Sequence, residues 1–179
     1  DEVRDRYHRL VARAVEEGLS RPPAAWEAVR IRPYRSLYRL PGGASGSRAA
    51  FLKIFPARYP FERIVSPRIP CAARTEWRVL ATLARAGLPV PRPLALGAVR
   101  DASGVRRVLV IEEIEGAVPL REAWRTIPPP PLKRALFRET GRLVGRLQMA
   151  GYHNPDLHPD NILFRLREGR PELFIVDHH

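Results

Sequence analysis

Along residues 2–17, Val3, Tyr7, Leu10 and Ala14 recur at helical spacing, Arg4, Arg6, Arg9 and Arg13 fall toward the other side, and Gly18 stands where such a helix would stop. The pattern predicts a short amphipathic basic helix, able to lie on an anionic membrane surface or to pack on its own domain. After Pro22 and Pro23 the period changes. From Val29 to Leu40, Val, Ile, Tyr and Leu alternate with arginine, the two-residue period of a strand. Pro41-Gly42-Gly43-Ala44-Ser45-Gly46-Ser47 is turn chemistry and Ala49 to Phe55 a second strand, so the two read as a hairpin.

A proline-rich loop (Pro56, Pro60, Pro67, Pro70) separates this hairpin from a helix expected over Ala72 to Ala86, closed by Gly87 and Pro89. Leu94 to Val99 and Val108 to Ile114 form a second strand pair around the turn Asp101-Ala102-Ser103-Gly104. A short helix over Leu120 to Arg125 precedes Pro128 through Pro131, which reads as a stiff linker. Leu136, Thr140, Leu143 and Leu147 then stripe a long helix from Leu132 to Ala150, and Gly151 ends it. Asn161 to Leu166 and Glu172 to Val176 are short apolar strands joined by Arg167-Glu168-Gly169-Arg170-Pro171. No internal repeat is visible.

With 179 residues and 45% apolar composition, the chain is long enough to bury a core. A single cysteine, Cys71, excludes an internal disulfide and any zinc site built from several thiolates, which points to a reducing compartment, the cytoplasm. No run approaches the length of a membrane span, and Asp1 to Tyr7 is too charged for a signal peptide. Asp1 in place of Met, and Asp177-His178-His179 directly after an apolar run, read as two cut ends. The net charge of +12 predicts attraction to polyanions without choosing among nucleic acid, lipid headgroups and phosphorylated sugars. Of 31 cationic residues only Lys53 and Lys133 are lysines. A lysine that survives such a bias toward arginine is informative.

The segment from Tyr152 to Phe164, YHNPDLHPDNILF, has an aspartate followed five positions later by an asparagine at the mouth of an apolar strand. That is the arrangement of a phosphoryl-transfer loop, in which Asp156 orients and deprotonates an acceptor hydroxyl while Asn161 holds Mg²⁺. Asp177, after Phe174-Ile175-Val176, supplies a second hard oxygen ligand. Turn chemistry alone is the bland reading of an Asp-, Pro- and Asn-rich loop. Lys53 and Glu76 weigh against it. Lys53 lies in the apolar strand Ala50-Phe51-Leu52-Lys53-Ile54-Phe55, and Glu76 falls on the helical stripe of Ala73, Leu80 and Leu83. Each is a charge directed inward that needs the other, unless both snorkel to the surface. A strand lysine held by a helix glutamate aims a compact ammonium at nucleotide phosphates, a task for which a guanidinium fork is the wrong shape.

Phe51-Leu52-Lys53, Ala73-Arg74-Thr75-Glu76-Trp77, Ala86-Gly87-Leu88-Pro89-Val90-Pro91, Ile111-Glu112-Glu113-Ile114-Glu115-Gly116 and Asp156 to Asn161 together resemble the lipopolysaccharide kinase family of Kdo and heptose kinases, over residues 35–177. The resemblance implies an α+β, two-lobed protein-kinase-like fold whose C-lobe is cut short. Residues 1–115 would build the N-lobe from the N-terminal helix, an antiparallel sheet and the Glu76 helix. Residues 116–179 would begin the C-lobe with the catalytic loop and metal-binding hairpin. It also implies transfer of the γ-phosphoryl of ATP, bound with Mg²⁺ between the lobes, to an inner-core lipopolysaccharide sugar at the inner face of the cytoplasmic membrane. Lys53 and Glu76 would form the ion pair, Glu112 and Glu113 would begin the hinge that holds adenine, Asp156 would be the base, and Asn161 and Asp177 would hold the metal.

The sequence departs from the family pattern in places. Asn154 stands where the family has a histidine two residues before its aspartate, and His178-His179 follow the metal aspartate in place of Phe-Gly. No Gly-x-Gly-x-x-Gly occurs. Gly42 to Gly46 lie too near Lys53 to cover phosphates, because a whole strand should intervene; Arg32 to Ser36 is the alternative. Rival readings are a phosphotransferase for another small molecule, an inactive kinase-like binding domain, a metal-dependent hydrolase suggested by His153, His158, His178 and His179 beside Asp156, Asp160 and Asp177, with Val176-Asp177-His178-His179 after a strand resembling the motif of DHH-type phosphoesterases, and a nucleic-acid-binding module suggested only by charge. Oligomeric state is not encoded in any of these patterns.

Overall fold

The computed structural model describes residues 9, 26–32, 35–42, 49–55, 71–101, 104–126 and 130–177. They fall into two compact units, one drawn from residues up to Arg78 and from Arg92–Glu113, the other from Val79–Pro91 and from Ile114 onward. Residues 79–91, placed on the N-terminal side by the sequence reading, thus group with the second unit. The amphipathic helix expected over 2–17, the glycine-rich turn from 43, the proline-rich loop from 56 and His178-His179 lie outside the described residues, apart from Arg9.

In the first unit, β1 (Glu27–Arg32), β2 (Arg35–Leu40), β3 (Ala50–Phe55), β4 (Pro93–Asp101) and β5 (Gly104–Glu112) form an antiparallel sheet in the order β1-β2-β3-β5-β4. The single strand expected from Val29 to Leu40 is two. Arg32 pairs with Arg35, so the chain reverses between them, and the alternation carries on through the reversal. Pro33, with no N–H to give a ladder, was the punctuation mark in the sequence. β3 is central, and its faces differ. Ala50, Leu52 and Ile54 pack with Tyr38, Leu40, Ala95, Val108 and Val110, whereas Lys53 points to the other face with Leu37 and Leu109 as its direct cross-strand neighbours.

Helix α1 (Ala72–Arg85) follows the expected bounds, and its stripe of Ala73, Glu76, Leu80 and Leu83 is buried. It ends through Gly87 at φ 71°, with the Leu88 N–H donating to the Leu83 carbonyl and the Gly87 N–H to that of Ala84. A left-handed residue here satisfies otherwise orphaned carbonyls at no side-chain cost.

The second unit contains β6 (Val118–Pro119), α2 (Leu120–Thr126), α3 (Pro130–Met149), a 3₁₀ turn (Pro159–Asn161), β7 (Ile162–Arg167) and β8 (Arg170–Ile175), with the strands in the order β6-β7-β8. The prolines read as a linker reach into a helix. Pro130 and Pro131 open α3, where a missing N–H costs nothing because the first turn has no acceptor for it. Leu136, Leu143 and Leu147 pack with Ile162, Phe164, Leu173 and Ile175. Thr140, the polar member of the stripe, donates its hydroxyl to the Leu136 carbonyl. Glu168 and Gly169, both at positive φ, make the tight reversal between β7 and β8. Asn161 ends the 3₁₀ turn and does not open the strand as expected.

Leu109→Ala in the first unit and Leu147→Ala in the second should each lower unfolding free energy by about 2–5 kcal/mol. Ile31→Ala on exposed β1 should change it by less than about 0.5 kcal/mol. Chemical denaturation of the three variants measures both effects.

Candidate active site

Lys53 and Glu76 meet. The lysine is 4% and the glutamate 1% exposed, and Nζ donates to Oε1 of the carboxylate. Strand alternation turns Lys53 away from the apolar cluster, and the position of Glu76 on the α1 stripe brings its carboxylate to that ammonium. Both charges are removed from water, so each depends on its partner for stabilisation. The second carboxylate oxygen, Oε2, is buried with no hydrogen-bond partner among the described residues.

Glu112 closes β5 and Glu113 follows it in the same unit. The Glu112 N–H donates to the Arg92 carbonyl at 2.9 Å and the Glu113 N–H to that of Ala49 at 3.1 Å, so both amides are engaged within the sheet. Arg39 Nε donates to both carboxylate oxygens of Glu113, at 2.9 and 3.0 Å. These hydrogen bonds, with the charge of Glu113, hold the Arg39 pKa above its ordinary value. Arg35 and Ser36 open β2 in the same unit, with Ser36 paired to Ile54 and Leu37 to Lys53.

In the second unit the loop preceding β7 is held around Asn161, itself 6% exposed. Its Nδ2 donates to the Asp156 carbonyl at 2.9 Å and approaches Asp156 Oδ2 at 3.4 Å. Its backbone N–H donates to the His158 carbonyl, and its own carbonyl accepts from Val176 N–H. That last bond brings the end of β8, and with it Asp177, alongside Asn161. Asp177 adopts φ 60°, a left-handed backbone that costs a non-glycine residue about 1 kcal/mol and persists where surrounding structure imposes it. Asp156 projects its carboxylate outward, with a side-chain exposure of 56%.

The structure thus joins Lys53 to Glu76 in one unit, and Asp156, Asn161 and the strand end bearing Asp177 in the other. Sequence reading missed three further contacts. Asn154 Oδ1 accepts the Asp156 N–H at 3.0 Å, while its Nδ2 is buried without a hydrogen-bond partner among the described residues. His158 caps the 3₁₀ turn, its Nδ1 accepting the Asp160 N–H at 3.2 Å. Arg121 Nε donates to both oxygens of Asp160, at 2.8 and 3.0 Å, which raises the arginine's pKa through hydrogen bonding and charge. The unusual Asn154 was visible in the sequence. The Arg121 pairing had no local signal, since 39 positions separate the partners. Among the described residues, no group of three or more His, Cys, Asp and Glu side chains is placed to hold a metal; His178 and His179, on which the phosphoesterase reading leans, lie outside them.

Mixed antiparallel sheet and helix, with a lysine strand and a loop-plus-hairpin, define a fold of the kinase-like class. Residues 63–179 match the model of the lipopolysaccharide kinase (Kdo/WaaP) family, and the chain belongs to that family. It is 36% identical over 89 residues to a 3-deoxy-D-manno-octulosonic acid kinase of Xanthomonas campestris pv. campestris (strain B100), covering 50% of this chain and 34% of that one. It is 38% identical over 106 residues to the enzyme of the same name from Stenotrophomonas maltophilia (strain R551-3), covering 57% and 38%. A solved structure described as WaaP in complex with acyl carrier protein superposes with a TM-score of 0.59 at 28% identity, over 86% of this chain and 60% of that one. The chain therefore spans little more than a third of the length of these curated relatives.

Lys53→Met, which strands Glu76 in the interior, should cost about 3–5 kcal/mol, whereas Lys53→Met with Glu76→Leu should recover most of that loss. A double-mutant cycle by chemical denaturation measures the coupling. Equal stability of the single and double variants would show that the pair is not interdependent.

Proposed function

We propose that the protein transfers the γ-phosphoryl group of ATP to a hydroxyl of an inner-core lipopolysaccharide sugar, with Kdo favoured over heptose as acceptor. The observation that carries this reading is the buried Lys53–Glu76 pair in a chain of this family that also holds an Asp156–Asn161 loop. The names of the relatives in two genera supply the preference for Kdo.

In this reading Lys53 directs its ammonium at nucleotide phosphate oxygens, and Glu76 keeps it aimed. Glu112 and Glu113 begin the segment that receives the nucleobase. Since both their N–H groups are engaged, recognition at these two residues runs through carbonyl oxygens. Asp156 accepts the proton of the sugar hydroxyl as its oxygen bonds to the γ-phosphorus and the bond to the bridging oxygen of ADP breaks; the proton then passes from Asp156 to solvent.

The donor set fits Mg²⁺. Asn161 commits its Nδ2 to Asp156, which leaves Oδ1 as the end of the amide able to ligate a hard cation, and Asp177 adds a carboxylate. Bound there, the ion neutralises charge on the nucleotide phosphates. Asn161 and the backbone around Asp177 orient these ligands before any ion arrives.

The charge of +12 favours an anionic surface, and we place the protein peripherally at the inner face of the cytoplasmic membrane. Among the described residues no helix is long and apolar enough to cross a membrane. Binding to lipopolysaccharide vesicles should weaken as salt rises and should exceed binding to DNA at equal ionic strength. Cosedimentation and filter binding compare the two.

Asp156→Ala should lower phosphoryl transfer by at least about a thousandfold while leaving ATP binding within about twofold, and Lys53→Arg should weaken transfer despite keeping the charge. Radiolabel transfer to Kdo-terminated lipopolysaccharide, with calorimetric titration of ATP, reads both. Undiminished transfer by Asp156→Ala would refute the assignment. ATP binding without transfer to any sugar acceptor would identify a binding domain instead.

A further inference from the structure

The proposed base is weakly held. Asp156 is exposed, and among the described residues the nearest side-chain donor to its carboxylate is Asn161 Nδ2, 3.4 Å from Oδ2. Proton abstraction in line with phosphoryl transfer needs a carboxylate fixed to within a fraction of an ångström. The other oxygen, Oδ1, faces His158 Nε2 at 3.8 Å. That separation is too long for a hydrogen bond, but contacts of this kind tighten when substrate closes a site.

The tautomer of His158 follows from its other nitrogen. Nδ1 accepts the backbone N–H of Asp160 at 3.2 Å, so in the neutral imidazole the ring proton resides on Nε2, the atom turned toward Asp156. Asp160 is anchored in turn by Arg121, whose Nε reaches both carboxylate oxygens from α2. A chain of contacts therefore runs from Arg121 through Asp160 and the His158 ring to Oδ1 of Asp156, while Asn161 addresses the other oxygen, Oδ2.

We infer that His158 is a positioning residue for Asp156: its Nε2–H holds Oδ1 of the carboxylate, and the Asp160 N–H fixes the tautomer that makes this possible. The inference rests on the assignment of Asp156 as base. Capping of the 3₁₀ turn alone is the competing role, and two substitutions separate them. Asparagine at 158 keeps an acceptor for the Asp160 N–H, since it is a good cap, but carries nothing at the place of Nε2. Glutamine reaches that place with an N–H donor and caps poorly.

The experiment measures kcat and KM for ATP with Kdo-terminated lipopolysaccharide for the wild type, His158→Asn, His158→Gln and Asp156→Ala. A complementary readout is the imidazole tautomer from long-range proton–nitrogen correlation spectra of the free protein at a pH where the ring is neutral. His158→Asn should lose at least about tenfold in kcat with KM for ATP within about twofold, and His158→Gln should remain within about threefold of wild type. The spectra should show the proton on Nε2. Wild-type kcat in His158→Asn, lower kcat in His158→Gln than in His158→Asn, or a proton on Nδ1 each overturns the inference. If Asp156→Ala retains transfer, the base assignment itself falls and the inference with it; if Asp156→Ala is inactive while His158→Asn is unimpaired, only the role of His158 falls.

Discussion

Removing an ammonium and a carboxylate from water costs several kcal/mol for each ion, and their mutual attraction recovers that only when the geometry is good. Lys53 and Glu76 accept this cost at the centre of the first unit, 4% and 1% exposed, on a strand and a helix otherwise lined with Leu, Ile and Ala. A pair of leucines there would pack at least as well. The charges instead fix two registers at once: a one-residue slip of β3 would turn Lys53 into the apolar cluster, and a third of a turn of α1 would take Glu76 away from it. What the fold gains is a cation of defined position, and that is the property the proposed reaction uses.

The second unit handles its polar groups differently. The carboxylate proposed as base, that of Asp156, stays exposed to water, and rigidity is delegated to its neighbours. Asn161 is buried so that Asp156 need not be, bonding to the loop through its side chain and backbone and to the end of β8 through its carbonyl. The left-handed turn at Asp177 follows directly. Strain there is sustained by the β7–β8 ladder, which holds Ile162 opposite Ile175, two residues before Asp177.

Both the fold and the proposed site were largely legible because their signals are local. The stripe that includes Glu76, the leucine stripe of α3 and the five-residue spacing from Asp156 to Asn161 each lie within a single element or loop, and each survives in the structure. Errors arose where local patterns are silent. Alternation of apolar and arginine residues runs unbroken across the reversal between β1 and β2, and a proline pair reads equally well as linker or as first helical turn. Two-residue β6 is too short to leave any period. Long-range partners such as Arg121 with Asp160 and Arg39 with Glu113 were invisible for another reason: in so arginine-rich a chain, no single guanidinium stands out until the elements are assembled.

That same bias leaves the chain almost without primary amines in its side chains. Lys53 is locked against a carboxylate, and Lys133 rests half-buried with its ammonium 5.4 Å from the centre of the Trp124 ring. Acylating and crosslinking reagents aimed at lysine will find one partly shielded target in the second unit and one in the first that becomes reactive only as the interior opens. The rarity of the residue turns Lys53 into a built-in reporter of breathing in the sheet, readable by mass spectrometry without introducing any label site.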